Sequence, residues 1–361
     1  MQTASPPGRL DIPEQVSEQI VGDIAPRRAR PVVWWASVGA AAVALQAWIY
    51  GSWIASDDFR TVTIGRSEVP GHDKVWAWIL QIAFSAAAVA TIAFVVRTCL
   101  KQRRLSLEAK ILLAWWAIMW LDPAANYFRP QYFFNSYYVN MGSWAAHIPG
   151  WVSPRGGNLP FAWTINFTSY TNSVLATVGG AALMRAVRRR RPQTGAVGLV
   201  LIAWAFLSLA VFGVEDLLIR TGWLFWNGIP GVTLWSHTTM AIPLTEVLGW
   251  GATQTALAAL FFFKDERGRV AVERGLDRVA ATGWRKTAVS ALAVIGLATA
   301  AQAGYAILSA PLGFYVGRQS DIPSYMRNGA CGDGTPYRCP APDVPVLLPG
   351  NPPGATAEQR G

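Results

Sequence analysis

The chain has 361 residues, of which 52% are hydrophobic and only 14% are charged. Soluble domains usually carry about 25% charged residues, so the composition argues against a soluble protein and favours one embedded in a membrane. The formal net charge of +10 does not indicate a nucleic-acid partner, because the basic residues form clusters between apolar segments and not one basic face.

Three regions follow one another along the chain. Residues 1–30 are polar and contain several prolines, which predicts a disordered cytoplasmic tail. Residues 31–310 hold seven apolar segments, each near or above the roughly 20 residues that a helix needs to cross a bilayer, and residues 311–361 form a tail rich in Pro and Gly. The predicted fold class is therefore all-α, a polytopic membrane bundle of about seven helices. The segments are Val32–Ala55, Val75–Val96, Ile111–Phe128, Phe161–Met184, Gln193–Val214, Thr239–Phe263 and Thr287–Ala310.

Basic residues predict the orientation of this multi-pass protein in the plasma membrane. Cytoplasmic connections carry an excess of Lys and Arg, and the basic clusters all fall on one side if the N-terminus is cytoplasmic. Seven crossings then place the C-terminal tail outside. Cys331 and Cys339 lie in that tail, where the compartment is oxidising, and they are candidates for a disulfide. The basic clusters are Arg27–Arg30, Arg97–Lys110, Arg188–Arg191 and Lys264–Lys286.

Two outer connections, residues 128–160 and 221–238, are unusually rich in aromatic residues. One interpretation is an aromatic belt at the level of the lipid headgroups. The other is a cap that folds over the outer mouth of the bundle and closes a cavity. In the second case, residues of these connections would contact a substrate, and the candidates are Asn135, Tyr138, Trp144 and His237.

Four acids lie inside or at the edge of apolar segments and toward the same side of the membrane: Asp122, Glu215, Asp216 and Glu246. A carboxylate at such depth is costly, so it is by default a candidate functional residue. Asp122 precedes Pro123, which predicts a break in the third helix. The alternative for Asp122 is a capping role at that break. The alternative for Glu215 and Asp216 is that both residues only mark the end of their helix and that Asp216 pairs with Arg220.

Glu246 is the only charged residue in Thr239–Phe263. An acid in apolar surroundings retains its proton more readily, which suits a general acid near neutral pH. We therefore predict Glu246, Asp122 and Glu215 as catalytic residues.

Polar residues near these acids are candidates for positioning a substrate. Asn126 follows Asp122 by four residues and would share its face in a helical turn. Tyr170 lies in the outer half of the fourth segment and could stabilise an oxygen of an intermediate, or it could serve only as hydrogen-bonding glue between helices. His237 is a candidate base or second donor. No spacing typical of a zinc site and no phosphate-binding loop is evident, so we expect neither a metal nor a cofactor.

Four stretches of the chain resemble the AveC-type spirocyclase family of actinobacterial membrane proteins. The resemblance covers roughly residues 75–310, and its motifs are specific in combination. It implies a multi-span enzyme that acts on a polyketide, as in the antibiotic biosynthesis of avermectin-type macrolides, where the family is named for spiroketal formation; some members are associated with dehydration. The stretches are Asp122–Phe128, Asn135–Trp144, Ile148–Trp151 and Pro243–Trp250.

The expected function is therefore a cofactor-free membrane cyclase or dehydratase for an apolar, polyketide-like or lipid-like small molecule. A neutral carboxylic acid would protonate a departing hydroxyl, and an ionised one would stabilise the oxocarbenium ion left behind. Two alternatives stay open. A proton-coupled transporter of a lipophilic molecule also needs buried acids, and a non-catalytic lipid-binding protein would use them structurally.

Overall fold

The computed structural model describes residues 30–153, 156–236, 238–316 and 322–329. Within these residues the fold is mainly helical, with four short strands: β1 (Tyr132–Phe134), β2 (Leu224–Trp226), β3 (Thr233–Leu234) and β4 (Ile242–Pro243). The helices are α1 (Arg30–Ile54), α2 (Gly71–Gln102), α3 (Leu107–Ile118), α4 (Trp163–Arg190), α5 (Ala196–Arg220), α6 (Leu244–Phe262), α7 (Gly283–Ser309) and α8 (Ser324–Arg327). The short 3-10 segments are Met119–Asn126, Ala145–His147, Gly156–Asn158, Ala271–Glu273, Leu276–Arg278 and Ala310–Tyr315.

In the part of the chain that the structure describes, four helical segments are long and apolar enough to cross a membrane: Pro31–Ile54, Gly71–Gln102, Ala196–Arg220 and Gly283–Tyr315. This finding supports a membrane protein made of helices. The helix α3 has only 12 residues, which span about 18 Å at 1.5 Å per residue, less than the roughly 30 Å of the hydrocarbon core. The seven crossings and the sides on which the termini lie stay predictions.

Small residues allow α1 and α7 to approach each other closely. A Cβ atom on Gly39 would collide with the backbone of Leu292, and one on Gly296 would collide with the backbone of Trp35. Such contacts between small residues are a common way of packing helices in membranes. The helix α7 also packs on α3 and α6, and α4 lies at the centre of the bundle, in contact with α2, α3, α5 and α6.

The predicted break at Pro123 is present, but it begins earlier than the proline. Regular α-helix ends at Ile118, and the chain continues as the 3-10 segment Met119–Asn126. A proline ring clashes with the carbonyl four residues before it and removes one backbone donor, which accounts for the change of helix type at Met119. Asp122 thus lies inside the 3-10 segment and does not cap a new α-helix.

The two aromatic connections form one structure because β1 and β2 pair antiparallel, with Tyr132 opposite Trp226 and Phe134 opposite Leu224. We call β1, β2 and Trp223 the cap. Part of the predicted C-terminal tail also packs here, since the Asn328 side-chain amide donates to the Phe134 carbonyl at 2.8 Å.

The connection between α6 and α7 does not form the amphipathic surface helix that its alternating charges suggest. It contains two 3-10 turns, and Val270 and Val272 are buried. Lys110 of α3 donates to Glu273 at 2.6 Å, and Ser290 of α7 also donates to Glu273. Burial on its own raises the pKa of Glu273, but the hydrogen bonds from Lys110 and Ser290 together with the charge of Lys110 outweigh it, and the pKa is lowered.

Candidate functional site

A cavity of about 510 Å³ lies between α2, α4, α5, α6 and α7, with the 3-10 segment and the cap at one end. Most of its lining is apolar or aromatic, which is typical of sites for small molecules. Its polar and aromatic lining residues are Phe84, Asp122, Tyr132, Phe134, Asn166, Ser169, Tyr170, Asn172, Ser173, Glu215, Trp223, Trp226, Glu246, Trp250, Gln254, Gln302 and Tyr305.

Asp122 reaches the cavity because the 3-10 segment turns its side chain toward α4. The Tyr170 hydroxyl donates to Asp122 Oδ1 at 2.8 Å, and the Asn166 side-chain amide donates to Asp122 Oδ2 at 3.2 Å. Tyr132 of the cap donates to the Asp122 backbone carbonyl at 2.7 Å. Asp122 therefore joins α4 through its carboxylate and the cap through its backbone carbonyl.

Glu215 and Asp216 point in different directions near the end of α5. Glu215 lines the cavity and accepts a hydrogen bond from the Trp226 indole at 3.1 Å. Asp216 pairs with Arg220 at 2.8 Å on the outer face of the helix. Neighbouring residues lie about 100° apart around a helix, so only one of the two reaches the cavity.

Glu246 lies in the first turn of α6. Its partner is the Tyr305 hydroxyl of α7, which donates to Glu246 Oε2. Gly249, one turn further along α6, faces the ring of Tyr305, and a Cβ atom at that position would overlap the ring. The glycine therefore leaves the space through which Tyr305 reaches Glu246.

The three cavity carboxylates lie within electrostatic range of one another. No Lys, Arg or His belongs to the described lining of the cavity. Carboxyl groups that share a site without a cation repel one another when all are ionised, so the site favours a mixture of neutral and ionised forms. Among the described residues, no group of three or more His, Cys, Asp or Glu side chains is arranged to hold a metal ion.

One side of the cavity opens between α2 and α5. Its lining there includes Ala83 and Ala87 of α2 and Ala210 of α5, all of which are exposed. Val214 of α5 and Leu175 of α4 are also exposed at this edge, by 45% and 48%. We call these five residues the mouth. Because the mouth is wholly apolar and its helices α2 and α5 qualify as membrane spans, it is suited to face lipid.

Four residues predicted to contact a substrate lie outside the cavity lining. Asn126 is fully buried and holds the following turn, because its side-chain oxygen accepts from the backbone of Gln131 at 2.7 Å. In a 3-10 helix, residues four apart do not share a face, which is why Asn126 points away from Asp122. The other three belong to the loop after β1 and are described next.

Asn135, Tyr138 and Trp144, in the loop after β1, contact other parts of the fold. Asn135 donates to the Gly222 carbonyl at 2.8 Å and thereby ties the two aromatic connections together. Trp144 donates to the Trp120 carbonyl at 3.1 Å, and Tyr138 is buried beside Trp223. Asn135 and Tyr138 thus support the cap, whereas Trp144 contacts the 3-10 segment. Among the predicted contact residues that the structure describes, only Tyr170 lines the cavity. His237, Cys331 and Cys339 lie outside the described residues.

Several lining residues were not predicted from the sequence. Nothing in the sequence around Tyr305 and Trp226 separates these residues from ordinary aromatic residues at a membrane interface. Gln254 and Gln302 do carry one, because an uncharged amide within an apolar helix is costly and often functional. A search for polar residues of every kind within the apolar segments, and not only for acids, would have found these glutamines.

A family model described as Spirocyclase AveC-like matches residues 102–318, well over half of the 361 residues. It includes all three cavity carboxylates and agrees with the resemblance of the sequence motifs. The search of curated proteins gives no match. The search of solved structures gives none either. The family match indicates a role of the cyclase or dehydratase type. The chain belongs to the AveC-like spirocyclase family.

Proposed function

We propose that the protein is a membrane-embedded cyclase or dehydratase that uses carboxyl groups as acid and base on an apolar, polyketide-like substrate bearing oxygen functions. The observation that carries the proposal is the convergence of Asp122, Glu215 and Glu246 from three separate elements on one largely apolar cavity. Buried acids of this kind are expensive to maintain, and family membership supplies the type of reaction.

Spiroketal formation needs no cofactor, because its atoms and electrons balance with acid and base groups alone. One hydroxyl of a dihydroxy ketone adds to the ketone carbon and gives a hemiketal. The hemiketal hydroxyl takes a proton from a carboxylic acid and leaves as water, and an oxocarbenium ion remains. The second hydroxyl attacks this cation and its proton returns to the carboxylate. One water is lost and the acid is regenerated.

The contacts suggest which carboxyl plays each part. Asp122 accepts two hydrogen bonds, from Tyr170 and Asn166, and this suits an ionised group that stabilises the cation. Glu246 lies across the cavity on α6 and is the proposed proton donor, held in position by Tyr305. Glu215 is the proposed third carboxyl, which accepts the proton of the second hydroxyl and passes it to Glu246 across the shared cavity, so that the proton donor is regenerated.

The apolar walls favour this chemistry. Water within reach of the oxocarbenium ion would return it to the hemiketal, so a dry site protects the intermediate. Tyr132, Trp226 and Trp250 line the same space, and aromatic rings attract a cation that lies over their faces. Dehydration of a hydroxyl needs the same groups, since one carboxyl protonates the leaving hydroxyl and another removes a proton from the adjacent carbon.

The test uses purified protein in lipid nanodiscs and a synthetic dihydroxy ketone with an alkyl tail. We expect the wild type to accelerate cyclisation and Glu246→Gln to lose about 100-fold or more of that rate, the usual range for a general acid. Asp216→Asn is the matched control, because it neutralises an acid outside the cavity and should keep the wild-type rate.

Full activity in Glu246→Gln would remove this residue from the mechanism. A wild type that moves the ketone across the membrane under a proton gradient, without converting it, would instead identify a transporter. Full function after neutralising both Glu246 and Asp122 would leave the acids with a structural role.

A further inference from the structure

Two buried glutamines of the cavity make no side-chain hydrogen bond to any other described residue. Gln302 of α7 is 1% exposed, and its side-chain oxygen accepts no hydrogen bond within the described residues. Gln254 of α6 is 7% exposed and lines the same cavity. Buried polar groups in proteins are nearly always hydrogen-bonded, so these two need an explanation.

Other buried glutamines of the chain follow the rule. Gln81 accepts from the Val139 backbone amide at 3.1 Å and from the Thr164 hydroxyl at 2.6 Å. Gln131 donates to the Ser309 carbonyl at 2.9 Å. These amides join elements of the fold and lie outside the cavity lining, whereas the unpaired ones lie inside it. The difference points to a partner that enters the cavity.

We propose that Gln254 and Gln302 form a second binding subsite, which takes a neutral hydroxyl or carbonyl oxygen of the substrate away from the carboxyl groups. The proposal rests on the cavity being the substrate site of the proposed function. An amide both donates and accepts hydrogen bonds and carries no charge. It therefore selects an alcohol or a ketone. It has no charge that could offset the cost of moving a charged group from water into a largely apolar cavity.

Helix geometry separates this subsite from the reacting end. Glu246 and Tyr305 meet near the cap, where α6 begins and α7 ends. Gln254 lies eight residues further along α6, about 12 Å by helical rise, and Gln302 lies three residues before Tyr305, about 4.5 Å. Both glutamines are thus displaced from the acids in the same direction, away from the cap.

The subsite would determine which part of a long substrate reaches the acids. When the glutamines hold one oxygen of a ligand, its reacting carbon lies beside Glu246 only if the chain between the two equals the distance from the glutamines to Glu246. Gln254 and Gln302 are therefore positioning residues that set substrate register, and the substrate class is an elongated, uncharged molecule with an oxygen remote from the cyclising carbons.

The test measures binding, so that it does not depend on turnover. The two probes are a spiroketal with a saturated alkyl tail and the same spiroketal with one hydroxyl on the tail. Titration calorimetry on wild type in nanodiscs should show about tenfold tighter binding of the hydroxylated probe, the amount that one net hydrogen bond supplies. Gln302→Leu and the double variant with Gln254→Leu should bind both probes equally, with the affinity for the plain probe unchanged.

Stability without ligand separates this role from a structural one. Replacing an unpaired buried amide by leucine should leave the melting temperature unchanged or raise it, whereas Gln81→Leu, which breaks paired hydrogen bonds, should lower it and keep the preference for the hydroxylated probe. Gln302→Met serves as a second variant if the leucine does not fold.

The subsite would be overturned if the double variant still bound the hydroxylated probe more tightly than the plain one. It would also be overturned if the wild type bound both probes equally or bound neither. If the wild type prefers the hydroxylated probe but does not cyclise the dihydroxy ketone, the proposed reaction is rejected and the subsite is retained.

Discussion

At the scale of single residues, each carboxyl group of the cavity is held by an aromatic donor from another element. Tyr170 donates to Asp122, Trp226 to Glu215 and Tyr305 to Glu246. Tyrosine and tryptophan combine an apolar body with one polar atom, so they fix the direction of an acid without bringing a cation into an apolar space. The acids are thereby oriented while remaining free to exchange protons with a ligand.

The contact between Gly249 and Tyr305 gives a test of this orientation. Gly249→Ala should displace the Tyr305 ring and reduce the cyclisation rate about as much as Tyr305→Phe, roughly tenfold, because both remove one hydrogen bond to Glu246. Gly179→Ala is the control, since a Cβ atom there meets nothing within 4 Å. Equal rates for Gly249→Ala and Gly179→Ala would show that Tyr305 does not orient Glu246.

At the scale of elements, the packing of α1 on α7 depends on two glycines that face each other's backbone. Gly296→Ala should push the helices apart and lower the melting temperature, with a cost of about 1–3 kcal/mol as for other overpacked interiors. Gly51→Ala in α1 has open space around it and should not lower the melting temperature. A Gly296→Ala protein as stable as Gly51→Ala would mean that the interface adjusts freely.

The contact of Glu273 with Lys110 and Ser290 joins the α6–α7 connection to α3 and α7 and should make stability depend on pH. Because the pKa of Glu273 is lower in the folded protein, its contribution is complete above the ordinary glutamate pKa of about 4.3. The contribution is lost as pH falls through the lower, folded value. Melting temperatures measured from neutral to acidic pH should fall more steeply for wild type than for Glu273→Gln. Parallel curves would remove Glu273 as the cause.

At the scale of the whole molecule, the cavity is closed by the cap at one end and opens sideways at the mouth between α2 and α5. The helices α2 and α5 are both long and apolar enough to cross a membrane, and the mouth lies between them. A lipophilic substrate concentrates in the bilayer, so a lateral entrance would deliver it to the acids without passage through water.

Blocking the mouth tests this route. Ala87→Trp should lower kcat/KM for a dihydroxy ketone dissolved in the membrane by about tenfold or more, because a large side chain fills an entrance lined by alanines. Val89→Trp is matched to it, since Val89 lies on the same helix, is 68% exposed and does not line the cavity. Similar kinetics for the two variants would exclude entry between α2 and α5.

The sequence predicted some parts of the site better than others. Asp122, Glu215 and Glu246, which the sequence singled out because a charge in an apolar segment is rare and costly, line one cavity, and their catalytic role stays a prediction. Asn126 was misplaced because its expected position assumed an α-helical turn, whereas the segment is a 3-10 helix. Asn135, Tyr138 and Trp144 were predicted to contact a substrate, but they lie outside the cavity lining and contact other parts of the fold. Aromatic and amide side chains serve packing and binding equally well, so the sequence does not separate the two roles.

The family and the helical membrane character follow from the sequence, since apolar length, charge and motif order are properties that a chain carries along its length. Which side chains share the cavity follows from the folded structure. Glu246 and Tyr305 are 59 residues apart, and whether such residues meet depends on how helices pack and on which small residues permit close approach. Helix periodicity places a residue on a face, but only packing decides what that face meets.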